Sequence, residues 1–336
     1  MTFEFGVYYA GGTMIISKHS ISVIILTFNS DWNKLKQTII SVILQKEIDI
    51  EIIISDDGSE NNHFFKLKKL FSTMNFDSYI FVQSDYNSGI VKNLQRAIRK
   101  SNSEYIKPIS PGDLLYSSYT LKEWYSFVLN HKIKISFGKP IYYNNDNGFR
   151  IIKHRSVPKY IYAYRNPNCN NIRKEYLLLD DMALGAAFLI KKTVLNEYLE
   201  KIVDKVILGE DFSYSLMVFD GIELKLFDKN VIWYEYGHGI STSGNEKFSK
   251  IMLQDWENMH TEMRKIFKDD LFSRRFSLYI MLYNFFSNSH IKRMIKYFVL
   301  PEIIWWRIKI TLHKEYTDSI CDFRFLNSII EKSDMI

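Results

Sequence analysis

The sequence predicts an α/β fold, an open Rossmann-like sheet flanked by helices, followed by a helical C-terminal extension. Three observations predict it. Between Ile21 and Asp113, short apolar runs rich in β-branched residues alternate with segments of helical period, the pattern of a doubly wound sheet. The strand runs are almost continuously apolar, as in strands covered on both faces. From about Phe248 to residue 330 the chain reads as wholly helical and strongly aromatic.

Each element follows from its residues. Ile21–Thr27 is the first strand, and Ser30 or Asp31 is the N-cap of a helix over Trp32–Leu44, with apolar residues at 32, 35, 39, 42 and 43. Ile50–Ile54 is a second strand, ending in Ser55-Asp56-Asp57-Gly58-Ser59, and a helix spans Asn62–Phe71. Tyr79–Gln83 is a third strand, Asn87-Ser88-Gly89 a turn, Ile90–Lys100 a helix, and Tyr105–Ile109 a fourth strand ending in Ser110-Pro111-Gly112-Asp113. Beyond it, 119–131 is a helix, and Lys134–Gly138 and Arg150–Lys153 are strands. Residues 154–180 read as a long polar loop. Helices over Lys192–Glu200 and Asp211–Phe219 and strands over Leu224–Phe227 and Val231–Tyr234 complete the sheet region. Ser, Gly and Asn cluster at 241–250, which divides the chain into an N-terminal extension (1–20), a sheet domain (21–245) and a helical region (246–336).

Composition narrows the function. The chain has 336 residues, with 46% hydrophobic and 15% aromatic, which excludes a disordered chain. Lys+Arg 44 against Asp+Glu 38 leaves a mild surplus of +6. Two cysteines, Cys169 and Cys321, make no disulfide framework and fit a reducing compartment. Residues 1–20 lack the charged start of a signal peptide. The apolar runs Leu278–Phe286 and Tyr297–Trp306 fall short of the ~20 residues a spanning helix needs. A cytoplasmic protein is expected, with peripheral contact at the inner membrane face an option. In the C-terminal block, basic residues lie among aromatics (Arg274-Arg275, Lys292-Arg293, Trp305-Trp306). They suit packing, a homo-oligomer contact or a membrane surface. No nucleic-acid motif accompanies them.

Polar turns at the C-terminal ends of such strands are where open sheets bind ligands. The motifs found there are Ile21-Ser-Val-Ile-Ile-Leu-Thr-Phe-Asn29, Ile53-Ile-Ser-Asp-Asp-Gly-Ser59, Asn87-Ser-Gly89, the acidic turn at Asp113, and Gly209-Glu-Asp211. In this order and spacing they resemble the bacterial family 2 glycosyltransferases of GT-A fold, over about residues 20–243. The resemblance implies an inverting sugar transferase. It would move a hexose from a nucleotide-diphosphate sugar, UDP-glucose or UDP-galactose, to a hydroxyl of a glycan, glycolipid or glycoprotein acceptor. The Ile-, Lys-, Asn- and Tyr-rich composition fits an AT-rich bacterial genome and hence polysaccharide or protein glycosylation.

The resemblance also implies roles. Thr27, Asn29, Asp56 and Asp57 belong to the nucleoside loop, with Asp57 accepting from the base N3–H; without the resemblance, Asp56-Asp57-Gly58-Ser59 reads more plainly as an Asx-type turn capping the next helix. Asp113 matches the last carboxylate of the family's acidic motif, a ligand of Mn²⁺ or Mg²⁺, with Ser110 beside the donor; the alternative is a Pro-Gly turn. Asp211 is the general base and Glu210 its substitute; both also suit a helix dipole. His238 is a candidate metal ligand, Ser241 and Thr242 phosphate contacts, Lys92 a donor contact and Asp181 a sugar contact. The family's usual Arg-Asn pair after the Asn87 turn is replaced by Leu94-Gln95. A nucleotidyltransferase would need a Gly-rich basic loop where Thr27-Phe-Asn-Ser30 stands. A catalytically weak nucleotide-sugar-binding or scaffold protein is the remaining alternative, and the reduced acidic motif speaks for it.

Overall fold

The structure, a computed structural model, describes residues 7–10, 13–16, 19–145, 148–152, 158–165, 169–178, 182–237, 246–266, 270–312 and 321–336. Strands β1 (Val7–Ala10) and β2 (Thr13–Ile16) form a separate antiparallel hairpin. The main sheet contains β3 (His19–Thr27), β4 (Ile50–Asp56), β5 (Tyr79–Gln83), β6 (Ser103–Ile109), β7 (Leu114–Leu115), β8 (Ile135–Asn144), β9 (Arg150–Ile151), β10 (Phe188–Lys191) and β11 (Leu224–Glu235). Their order is β5-β4-β3-β6-β10-β8-β11-β7, with β9 on the side of β8. Strands β5, β4, β3 and β6 are parallel. Beyond β6 the sheet is mixed: β10 is antiparallel to both β6 and β8, while β8 and β11 run parallel. The chain leaves β3 toward β4 on one side and reaches β6 on the other. That reversal opens a crevice at the strand ends, the usual ligand site of open α/β sheets.

The near-continuous apolar strands are explained by two cores. Ile24 and Ile53 face one hydrophobic cluster, and Val23, Ile25, Ile52 and Ile54 face the other, as the two-residue period of a strand requires. The first cluster is closed by the helices Ile90–Lys100, Lys192–Ile202, Phe212–Phe219, Glu246–Lys265 and Leu271–Phe285. The second is closed by Trp32–Ile43, Phe64–Thr73, Thr120–Asn130 and the last helix, Arg324–Met335. Lys36 Nζ donates to the Ser333 carbonyl at 2.7 Å, fastening that last helix to the first. The helical region therefore contributes to both faces of the sheet.

Several expectations are corrected. Helices Tyr162–Arg165 and Cys169–Leu178 occupy the span read as a loop. The second buries Ile172 and Tyr176, four residues apart, a helical spacing outweighed in the sequence by the surrounding Asn and Pro. The two strands expected over 224–234 are one strand, β11, with irregular register between Phe227 and Ile232; the polar Asp228-Lys229-Asn230 occupies the bulge. The strand expected to end at Gly138 continues to Asn144. Asp211 precedes its helix as the N-cap residue and makes no side-chain cap bond. Asp31 is the cap of Trp32–Ile43, its carboxylate accepting from Lys34 N at 2.9 Å.

Candidate functional site

A cavity of about 510 Å³ opens at the carboxyl ends of the parallel strands. Thr27, Asp57, Ser110, Asp113, Glu210 and Asp211 all line it. Carboxylates from distant parts of the chain are thus brought to one crevice, each for a separate local reason.

Asp57 follows β4 and is held by the turn after β5. Its carboxylate accepts from Ser88 N at 3.0 Å, Ser88 Oγ at 2.8 Å, Gly89 N at 2.8 Å and Arg96 Nη2 at 2.5 Å. Gly89 has φ +94°, and a Cβ there would meet the Ile207 carbonyl at 2.6 Å, so only glycine lets the turn close on that segment. Asp56 faces inward and is not on the cavity wall. It accepts from Thr27 Oγ1, Ser59 N and Ser59 Oγ at 2.9, 2.8 and 2.6 Å, the Asx-type turn that was the plainer reading. Asn29, at φ 46°, braces the same loop: its side chain accepts from Glu60 N at 3.1 Å. Lys92 points to solvent, 3.7 Å from Asp204, because Ile90 and Asn93 carry the cavity-facing side of its helix.

The acidic turn after β6 is braced from both sides. Thr38 Oγ1 donates to the Asp113 carbonyl at 2.9 Å and accepts from Gly112 N at 3.0 Å. Tyr143 Oη donates to the Gly112 carbonyl at 2.5 Å. Gly112 has φ +101°, and a Cβ there would stand 2.5 Å from Glu235 Oε2. Asp113 is 5% exposed. Its Oδ1 accepts from Glu235 N at 3.3 Å. Burial pushes its carboxyl up to about 7, with nearby Glu235 adding to the rise and Lys107 opposing it. Lys107 is fully buried and donates to the carbonyls of Pro108 and Ala186 at 2.7 and 2.5 Å. Burial lowers its ammonium to about 7. Glu235 also pairs with Lys34 Nζ at 2.7 Å, and both line the cavity. Sequence reasoning nominated neither; Glu235 was visible only as a carboxylate at the end of the last strand.

Glu210 and Asp211 line the same cavity. Burial raises both carboxyls, and the charge of Asp211 raises Glu210 further. Gly185 faces them: a Cβ added there would lie 3.6 Å from both Asp211 Oδ2 and Glu210 Oε1. The loop leading into the pair is held by Asp255, on Glu246–Lys265, which is 1% exposed. Its carboxylate accepts from Ile207 N, Leu208 N and Gly209 N at 2.9, 2.7 and 3.1 Å. The same helix adds Phe248 and Met252 to the cavity wall. Nothing local marks Asp255, which lies in a polar helix far from every motif. Asp181, His238, Ser241 and Thr242 lie outside the described residues.

Among the described residues, no group of three or more His, Cys, Asp or Glu forms a ready-made metal cage. Asp113 and Glu235 nevertheless supply hard oxygens at the cavity, and burial leaves Asp113 short of charge compensation. That donor set fits a divalent cation taking its other ligands from water and a phosphate-bearing substrate.

A model of glycosyl transferase family 2 matches residues 22–199. An uncharacterized glycosyltransferase of Methanocaldococcus jannaschii is 22% identical over 199 residues, 59% of this chain and 64% of its own length. The chain therefore spans less than two thirds of that relative. Among solved structures, S. aureus TarS 1–349 in complex with UDP has a TM-score of 0.53 at 16% identity, covering 85% of this chain and 78% of that one. The same TarS fragment with UDP-GlcNAc gives 0.56 at 15% identity, covering 85% and 80%. These likenesses establish the GT-A fold. With its family model spanning more than half of the chain, this protein belongs to glycosyl transferase family 2.

Proposed function

We propose that this protein is an inverting transferase that moves a hexose from a UDP-sugar to a hydroxyl of a glycan acceptor in bacterial polysaccharide or glycoprotein biosynthesis. The observation that carries the reading is the convergence of Asp57, Asp113 and Asp211 on one cavity at the strand ends. TarS has been crystallised with UDP and with UDP-GlcNAc, which supports a uridine nucleotide and adds N-acetylglucosamine to glucose and galactose as donor sugars to test.

Asp211 takes the proton from the acceptor hydroxyl as its oxygen attacks the anomeric carbon. Attack comes from the face opposite the diphosphate, so an α-linked donor gives a β-linkage. A carboxyl whose proton affinity is raised by burial is a stronger base than a solvated one, and such proton transfer contributes about 10²–10⁴-fold. Glu210 keeps a second carboxylate beside it. Asp57 is assigned a shaping role: with Arg96 it fixes the Ser88–Gly89 turn at the nucleoside end. Asp113 and Glu235 would hold Mn²⁺ or Mg²⁺, which supplies neutralisation of the leaving diphosphate when bound.

The test is a thermal-shift screen of UDP-glucose, UDP-galactose, UDP-GlcNAc and non-uridine analogues, with and without Mn²⁺. Hydrolysis and transfer assays then follow on the donor selected. Saturating donor is expected to add about 2.7 kcal/mol of stability at a hundred times Kd. Donor binding without hydrolysis, and without transfer to any glycan offered, would favour a nucleotide-sugar-binding scaffold instead.

A further inference from the structure

We propose that the helices Ser289–Val299 and Glu302–Leu312 form a docking surface for an anionic phospholipid bilayer. The proposal does not depend on which sugar the protein transfers.

Exposure is the first observation. On Glu302–Leu312, Ile304, Trp305, Ile308 and Leu312 are 53, 59, 46 and 72% exposed, an apolar stripe at helical spacing. On Ser289–Val299, Met294 and Phe298 are 71 and 88% exposed. The two helices share a shallow groove lined by Tyr297, Ile304, Ile308 and Leu312, so the stripe and its neighbour belong to one surface. Isolated exposed apolar residues need no explanation, but a contiguous set of this kind marks an interaction site.

Charge is the second observation, and it selects the partner. Residues 289–312 carry five cations, Lys292, Arg293, Lys296, Arg307 and Lys309, against the single carboxylate of Glu302. That carboxylate is already engaged by Arg275 at 2.6 Å. The surplus of four positive charges suits an anionic surface and opposes pairing with a second copy of the same patch. The cations also lie along the aromatics: Lys309 Nζ is 4.3 Å from the Trp306 ring centre, and the Arg307 guanidinium is 5.4 Å from that of Tyr297. Cations held over aromatic rings suit the headgroup level of a bilayer, where both side-chain types gather. Each helix has eleven residues, about 16 Å of helix, so the surface lies on a membrane rather than crossing one.

Flotation of the full chain with vesicles of phosphatidylcholine, alone or mixed with phosphatidylglycerol, tests this. The protein is expected to float with the mixed vesicles only, and high salt should release it. Trp305→Ser with Phe298→Ser removes the insertion, and Lys292→Gln with Arg293→Gln should weaken partitioning by about thirtyfold. Thermal melting verifies that the variants fold, and brominated lipid, which quenches nearby tryptophan, gives a readout on the unmodified protein. No flotation with either vesicle, equal flotation with both, or no quenching by brominated anionic lipid would overturn the proposal. A dimer in light scattering that Trp305→Ser dissociates would assign the patch to a second copy and overturn it as well.

Discussion

Two acidic pairs in this chain look alike in sequence and behave oppositely in the fold. Asp56-Asp57 is surrounded by donors: seven hydrogen bonds from Thr27, Ser59, Ser88, Gly89 and Arg96 reach their carboxylates. Glu210-Asp211 shares a buried site in which burial itself raises both carboxyls. The first pair spends its acceptors on holding loops together. The second retains the reactivity of an under-compensated carboxylate, as functional sites commonly do. An adjacent acidic pair in the sequence therefore does not reveal which carboxylates are already committed; the number of donors that reach them does.

The sharpest break between the pairs comes from Asp211→Asn. Transfer should fall by about 10²–10⁴-fold, with donor-induced thermal stabilisation unchanged. A variant retaining full turnover would remove Asp211 from the role of base. The pH profile carries the same information: turnover should rise with pH, with its midpoint above the ordinary carboxylate range, because burial holds the Asp211 proton on. Asp57→Ala should act on folding instead. It leaves the Arg96 guanidinium without its carboxylate partner, a loss of about 3 kcal/mol by denaturant titration, together with weakened nucleotide binding.

A smaller effect is expected at Asp255. Replacing it with Ala strands the buried Gly209 N–H and leaves two half-buried ones to water, costing about 1–3 kcal/mol, and should lower turnover more than donor affinity because the loop it holds carries Asp211. Equal losses in both would make it a general stability residue. The last test reads a pH dependence rather than a single loss, and concerns Asp113→Asn. The folded-state carboxyl titrates near 7 against an ordinary 3.8, so the unfolded chain ionises first as pH rises. Wild-type stability should fall relative to the variant from about pH 4 to pH 7 and run level above that. A difference between wild type and variant that does not change with pH across this window would show instead that Asp113 is charged throughout.

Much of this was legible in the sequence, and the rest was hidden for identifiable reasons. The parallel half was readable because both faces of β3, β4 and β6 are covered, which makes their apolar runs continuous. Asp57, Asp113 and Asp211 were readable because each sits where a strand ends or a helix begins. Asp56 was misplaced because Thr27 and Ser59 draw its carboxylate inward, a tertiary contact that the turn sequence alone does not report. Lys34, Arg96, Glu235 and Asp255 were hidden because each acts across a tertiary contact. Glu235 and Asp113 are 122 residues apart in sequence, and no periodicity reports such a meeting. The helix Cys169–Leu178 escaped because local composition opposed it and tertiary burial overrode the composition.

The family model stops at residue 199, before the acid pair and before the helix that steadies it. A chimaera made by grafting another relative's C-terminal block onto this sheet would replace Asp255 along with whatever that block recognises. The loop that carries Asp211 is thus held from beyond residue 246, and an exchange there would need to carry an equivalent carboxylate across the junction to keep that loop in place.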